Sequence, residues 1–143
     1  MSTPAITRAD FQQLADVRIA EAKALLDLGM WDGAYYLAGY AVEVALKACV
    51  IKRLMATDAF PDRKFSDSCY THNLSELVKL AGLKPALDTA SGADAVFTGF
   101  WGVVVEWSEQ ARYHRVAEFE ARALYEAVAD ANHGMLRWIK TLW

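Results

Sequence analysis

The chain is short of the residues that usually announce a site. Among 143 residues there are three prolines, three histidines and two cysteines. Cys49 and Cys69 form no CxxC pair, which excludes a zinc ribbon or a disulfide framework. Cys49 falls in the most apolar stretch, where a thiol packs as a small hydrophobe, so two reduced cysteines in a reducing compartment are expected. His72, His114 and His133 lie far apart in sequence, and no metal site or cofactor is expected from them. No glycine-rich phosphate loop, HExxH or GxSxG occurs. The formal charge is only −3 and the pI about 5.6, so no general positive field draws the chain onto nucleic acid. Any such contact needs a local basic patch.

Met1-Ser2-Thr3-Pro4 lacks the basic-then-apolar pattern of a signal peptide. The longest apolar run, Ala34 to Ile51, has about the minimum length of a membrane span but carries Glu43 and Lys47 near its middle. It is read as the central helix of a bundle, in a cytoplasmic protein without a membrane partner.

What is present is apolar. Hydrophobic residues make up 55% of the chain and charged ones 23%, a balance that excludes disorder. A chain of this length hides roughly 68–70% of its unfolded surface, enough for one core, whereas two halves would each be too small. One domain over residues 1–143 is expected. The apolar surplus favours a homo-oligomer.

Helical periodicity dominates. Thr7 with Asp10 predicts a helix start, and Phe11, Leu14, Ala15, Arg18, Ala22, Leu25 and Leu26 follow at helical spacing up to a stop at Gly29. A tight turn leads to a second helix over 32–54, antiparallel to the first. Its alanines and Gly39 invite close backbone approach, and Glu43 and Lys47 form an i, i+4 pair. Residues 56–71 read as a loop broken by Pro61. Asn73 and Glu76 predict an N-capped short helix that ends at Gly82, with Pro85 barring a restart. A helix over 91–111 and a last one from Val116 almost to the C-terminus, with Gly134 inside it, complete the pattern. The expectation is an all-α, up-and-down bundle of four long helices and one short one.

The densest polar cluster is WSEQARYHR, Trp107 to Arg115. Arg112, His114 and Arg115 supply positive charge, and Trp107 and Tyr113 supply stacking faces, a combination that can hold a phosphate and a base. The same residues also suit a helix C-terminus whose cations meet the dipole, with a salt bridge to Glu109 or Glu118. Spacing leaves both open.

The segments LLDLGMWDGAYYLAGYAVEVALKACVI, THNLSELVKLAGL and WSEQARYHR resemble the HEPN domain (higher eukaryote and prokaryote nucleotide-binding). The likeness spans most of the chain, and GAYYLAGYAVEVALKA is its most specific part. It implies a helical bundle that pairs as a symmetric dimer with a polar cleft, a link to RNA or nucleotides, and in many members either metal-independent ribonuclease activity, often as a toxin, or partnership with a small nucleotidyltransferase. Active members carry arginine followed after four to six residues by histidine. Here the positions after Arg112 hold Ala117, Glu118 and Phe119.

Metal-free RNA cleavage needs a group to move the 2′-hydroxyl proton and a cation for the phosphorane charge. Arg112 is the candidate cation, and His114 or His72 the candidate imidazole. Glu43 either faces the same cleft or is explained by Lys47. Three functions stay open: a non-catalytic binder of RNA or a nucleotide through Arg112, Tyr113, His114, Arg115, Trp107 and Glu43; a ribonuclease of unusual arrangement; and a structural interaction module.

Overall fold

Thr7 opens the first helix by reciprocal capping: its hydroxyl accepts from the Asp10 amide, and the Asp10 carboxylate accepts from the Thr7 amide. In the computed structural model, which describes residues 4–143, this helix is α1 (Arg8–Asp27). The expectation placed on Met1-Ser2-Thr3 lies outside the described residues. Gly29 adopts φ +74°, ends the run and turns the chain into α2 (Trp31–Thr57). Leu25 packs beside Gly33, and Phe11 shares a cavity with Leu54. The two long helices are therefore antiparallel neighbours, as the short turn requires.

The remaining elements are α3 (Arg63–Ser68), α4 (Leu74–Leu80), α5 (Lys84–Ala93), α6 (Ala95–Val104), a 3-10 turn (Glu109–Tyr113), α7 (Glu118–Ala129) and α8 (Met135–Lys140). No strand occurs among the described residues. The protein is an all-helical bundle, but four sequence expectations need correction. The 56–71 segment is not all loop, because Asp62 caps α3 through the Phe65 amide. Pro85 does not bar a helix. It sits in the first turn of α5, where its missing N–H costs nothing and its φ is already helical. The helix expected over 91–111 breaks at Asp94, whose carboxylate accepts from the Val96 and Phe97 amides and starts α6 afresh. It ends at Val104, where the Val103–Val105 run of poor helix formers gives way to the 3-10 turn. The last helix splits into α7 and α8. Gly134 is the N-cap of α8, and a Cβ there would come within 2.5 Å of the Asp130 carbonyl oxygen. Two long helices with six shorter ones replace the expected four and one.

α2 is the axis of the fold. It packs against α1, α4, α7, α8 and the 3-10 turn. Its buried face is built largely of Ala34, Ala38, Gly39, Ala41, Ala45 and Ala48, small enough for neighbouring backbones to close in. Larger side chains from the surrounding helices fill the remaining space: Leu74, Leu77, Leu124, Met135 and Ile139 are all fully buried. Burying each such side chain contributes about 1.5–3 kcal/mol. By length and composition α2 could cross a membrane, yet 67% of its most apolar window is buried inside the fold.

Candidate functional site

Tyr36, Tyr40, Glu43 and Lys47 recur along α2 at intervals of four, three and four, which puts them on one stripe of the helix. Glu43 is 2% exposed and is the one buried charged residue of the described chain. One of its carboxylate oxygens lies 3.3 Å from Lys47 Nζ. The other is 3.0 Å from Nδ1 of His72, which precedes α4 and whose side chain is half exposed. The Asn73 cap of α4 sets this arrangement, since its side chain accepts from the Glu76 amide and fixes the backbone beside His72. The geometry suits an Nδ1–H that donates to the carboxylate, the tautomer in which Nε2 of the ring is the acceptor.

These groups line a cavity of about 530 Å³. Phe11 and Ile6 close it from the α1 side, Val44, Val50, Ile51 and Leu54 from α2, and Cys69 and Tyr70 from the turn after α3. Burial, and then the Glu43 charge, push the Tyr40 hydroxyl above its usual range, with Arg18 opposing from 6.0 Å above the ring. The phenol is therefore a protonated donor at neutral pH. Burial also raises the Cys69 thiol, and Cys49, deeper still, is pushed up to about 11. Neither thiol is activated toward the thiolate by its surroundings.

The stripe continues toward the N-terminus of α2. Tyr36 stacks on Tyr40 with ring centres 6.0 Å apart, and its other neighbour is Trp107 at 6.1 Å. Trp107 is 3% exposed because it lies flat on Gly39, where a Cβ would come within 2.2 Å of its Cδ1. It supports the site and is not itself a free stacking face, contrary to its part in the sequence expectation. Arg112, at the end of the 3-10 turn, is exposed and stands 4.9 Å from the Tyr113 ring centre. The neighbouring phenols, Tyr113 foremost and Tyr36 after it, hold the guanidinium above its usual range. Arg112 thus stands near the Tyr36 end of the stripe. Among the described residues neither acid proposed for it pairs with it, and Glu118 is held by Arg122 at 2.8 Å.

The rest of the basic segment faces elsewhere. His114 and Arg115 line a smaller cavity of about 240 Å³ with Tyr35, Glu106 and Glu120. Burial, then Glu120 and Glu106, raise the Tyr35 hydroxyl. Tyr35 and Tyr36 are successive residues about 100° apart around α2, so Arg112 and His114 are directed to different sides. His133 is separate again, with Nδ1 2.6 Å from the Asp94 carboxylate at the start of α6. That hydrogen bond holds Asp94 below the ordinary carboxylate range. No group of three His, Cys, Asp or Glu gathers as a metal site among the described residues.

The structure thus brings Glu43 and His72 together, adds Lys47 and Tyr40, and detaches His114. A buried acid four residues before a lysine, inside an otherwise apolar run, was the sequence signal for this centre. No family model, curated protein or solved structure matches this chain.

Proposed function

We propose that this chain binds RNA or a nucleotide along the tyrosine face of α2, in keeping with the HEPN resemblance of its sequence. The observation that carries the proposal is the single succession of Arg112, Tyr36, Tyr40, Glu43 and His72. A guanidinium for phosphate stands at one end, aromatic faces follow, and a hydrogen-bonding centre lies at the other. Tyr36 and Glu43 are seven residues apart, roughly 10 Å along the helix axis, so one short oligonucleotide reaches both ends. The acidic balance of the whole chain offers no second basic patch, and with one free guanidinium in the strip, among the described residues, the salt dependence of binding is expected to be shallow. The proposal includes a cytoplasmic homodimer and a separately encoded nucleotidyltransferase as partner, in a toxin–antitoxin-like setting.

A second reading rests on His72. Its Nδ1 is held by Glu43, which orients Nε2 as a proton acceptor, the arrangement a metal-independent ribonuclease requires of its base. The cation nearest that imidazole is Lys47, on the same carboxylate, since Arg112 stands at the far end of the strip.

One assay separates these readings: retention and cleavage of labelled RNA in EDTA by wild type, Arg112→Ala and His72→Ala. A charge-assisted contact is worth about 1.5–3 kcal/mol, so Arg112→Ala is expected to weaken retention by about 10- to 100-fold with an unchanged melting temperature. Equal retention by the variant would sink the site. Cleavage that His72→Ala abolishes makes the protein an enzyme. Neither retention nor cleavage leaves an interaction module.

A further inference from the structure

The Glu43 centre is charge-neutral as a pair but sharply divided in space. Carboxylate and ammonium lie 3.3 Å apart in the lining of the 530 Å³ cavity, one accepting and one donating. A cationic ligand head would meet Lys47, and an anionic one would meet Glu43. The pair instead complements a neutral edge that carries a donor beside an acceptor. The cavity walls narrow the choice, since Val50, Ile51, Leu54 and Phe11 offer apolar surface while Tyr40 and Tyr70 offer ring faces. Its volume lies within the ordinary range for small-ligand sites.

General energetics do not require this pair. The other fully buried large side chains of the core are apolar, and exchanging a buried ion pair for hydrophobic side chains is commonly neutral or stabilising. A buried carboxylate kept in the lining of a largely apolar cavity under those terms points to a ligand.

We infer that the cavity accepts a nucleobase bearing an exocyclic amine next to an unprotonated ring nitrogen, the edge shared by adenine and cytosine. The amine donates to Glu43, the ring nitrogen accepts from Lys47, and the ring lies against Tyr40. His72 holds the second carboxylate oxygen and fixes the acceptor's direction. The inference rests on the nucleotide-binding reading above and specifies its base. Hypoxanthine and uracil present the reversed edge, with a carbonyl beside a ring N–H, and would set acceptor against acceptor and donor against donor.

The test is calorimetric titration of the full chain with AMP against IMP, and CMP against UMP, in wild type and Glu43→Gln. Wild type is expected to bind AMP and CMP at least about tenfold more tightly than IMP and UMP, the discrimination of one good two-point base contact. The Glu43→Gln amide can present either an acceptor or a donor, and the preference should shrink to about twofold. Equal affinities in wild type, or a preference that survives in Glu43→Gln, overturn the inference while leaving nucleotide binding in place. RNA retention without binding of any mononucleotide likewise overturns the base site alone. Absence of both overturns the two together. The wild-type comparison needs no variant to fold.

Discussion

Glu43 concentrates what single residues contribute here. It lies on a helix whose other buried positions are small or aliphatic, and its carboxylate is held by Lys47 and His72. Desolvating that group costs several kcal/mol, which the Lys47 attraction roughly offsets. A Glu43→Leu, Lys47→Met double variant removes both charges at similar volume. It is expected to match wild type in stability or exceed it by about 1–4 kcal/mol in denaturant unfolding, while losing the nucleotide preference. A loss of more than about 3 kcal/mol would make the pair a structural device instead. The pairing with Lys47 was legible from the i, i+4 spacing. The contact with His72, 29 residues away, was not, because nothing local encodes which loop returns to α2.

Elements were legible where their signals are local. The Thr7–Asp10 cap, the stop at Gly29 and the Asn73 cap stand where the sequence places them, since each depends on hydrogen bonds within a few residues. The failures cluster in the C-terminal half, where short helices are defined by breaks. Pro85 and Gly134 were each assigned to the wrong side of a boundary, because proline in a first turn and glycine at an N-cap look like interruptions until the neighbours are known. Gly39 shows the opposite case, a residue whose need is purely tertiary. Gly39→Ala would drive a methyl into the Trp107 ring, and the expected cost is about 1–3 kcal/mol, visible as a lower melting temperature and a changed tryptophan emission. An alanine variant as stable as wild type would mean that Trp107 moves freely off α2. A shift of Trp107 also disturbs Tyr36, so the site and the packing are coupled at this position.

For the whole molecule the open matter is the proposed dimer. Phe60, Tyr70, Met55 and Ile6 are all exposed large apolar side chains. Tyr70 and Ile6 share the 530 Å³ cavity with Leu54, and Phe60 shares another with the same leucine, so this apolar surface gathers at the C-terminal end of α2. A homodimer that covers it is expected by light scattering at micromolar concentration. Phe60→Glu, at a residue 99% exposed, is expected to give a folded monomer. A monomeric wild type would overturn the dimer. Because the cavity opens on this surface, pairing would also alter access to Glu43, and the titrations above are best run on the species that light scattering identifies.

By itself the sequence determined the class of fold and the axis it turns on. Helical periodicity, capping residues and an alanine-rich central run are local or one-dimensional properties, and they survive into the structure as an all-helical bundle packed around α2. The membership of the site was decided only by tertiary packing. Arg112 and His114, two residues apart in the chain, have different neighbours, Tyr36 for one and the Tyr35 cavity for the other, while Glu43 and His72, 29 apart, lie within hydrogen-bonding distance. Proximity along the chain fixes neither direction nor partner once a 3-10 turn rotates successive side chains apart. Only the docking of α4 against α2 brings the imidazole to the carboxylate.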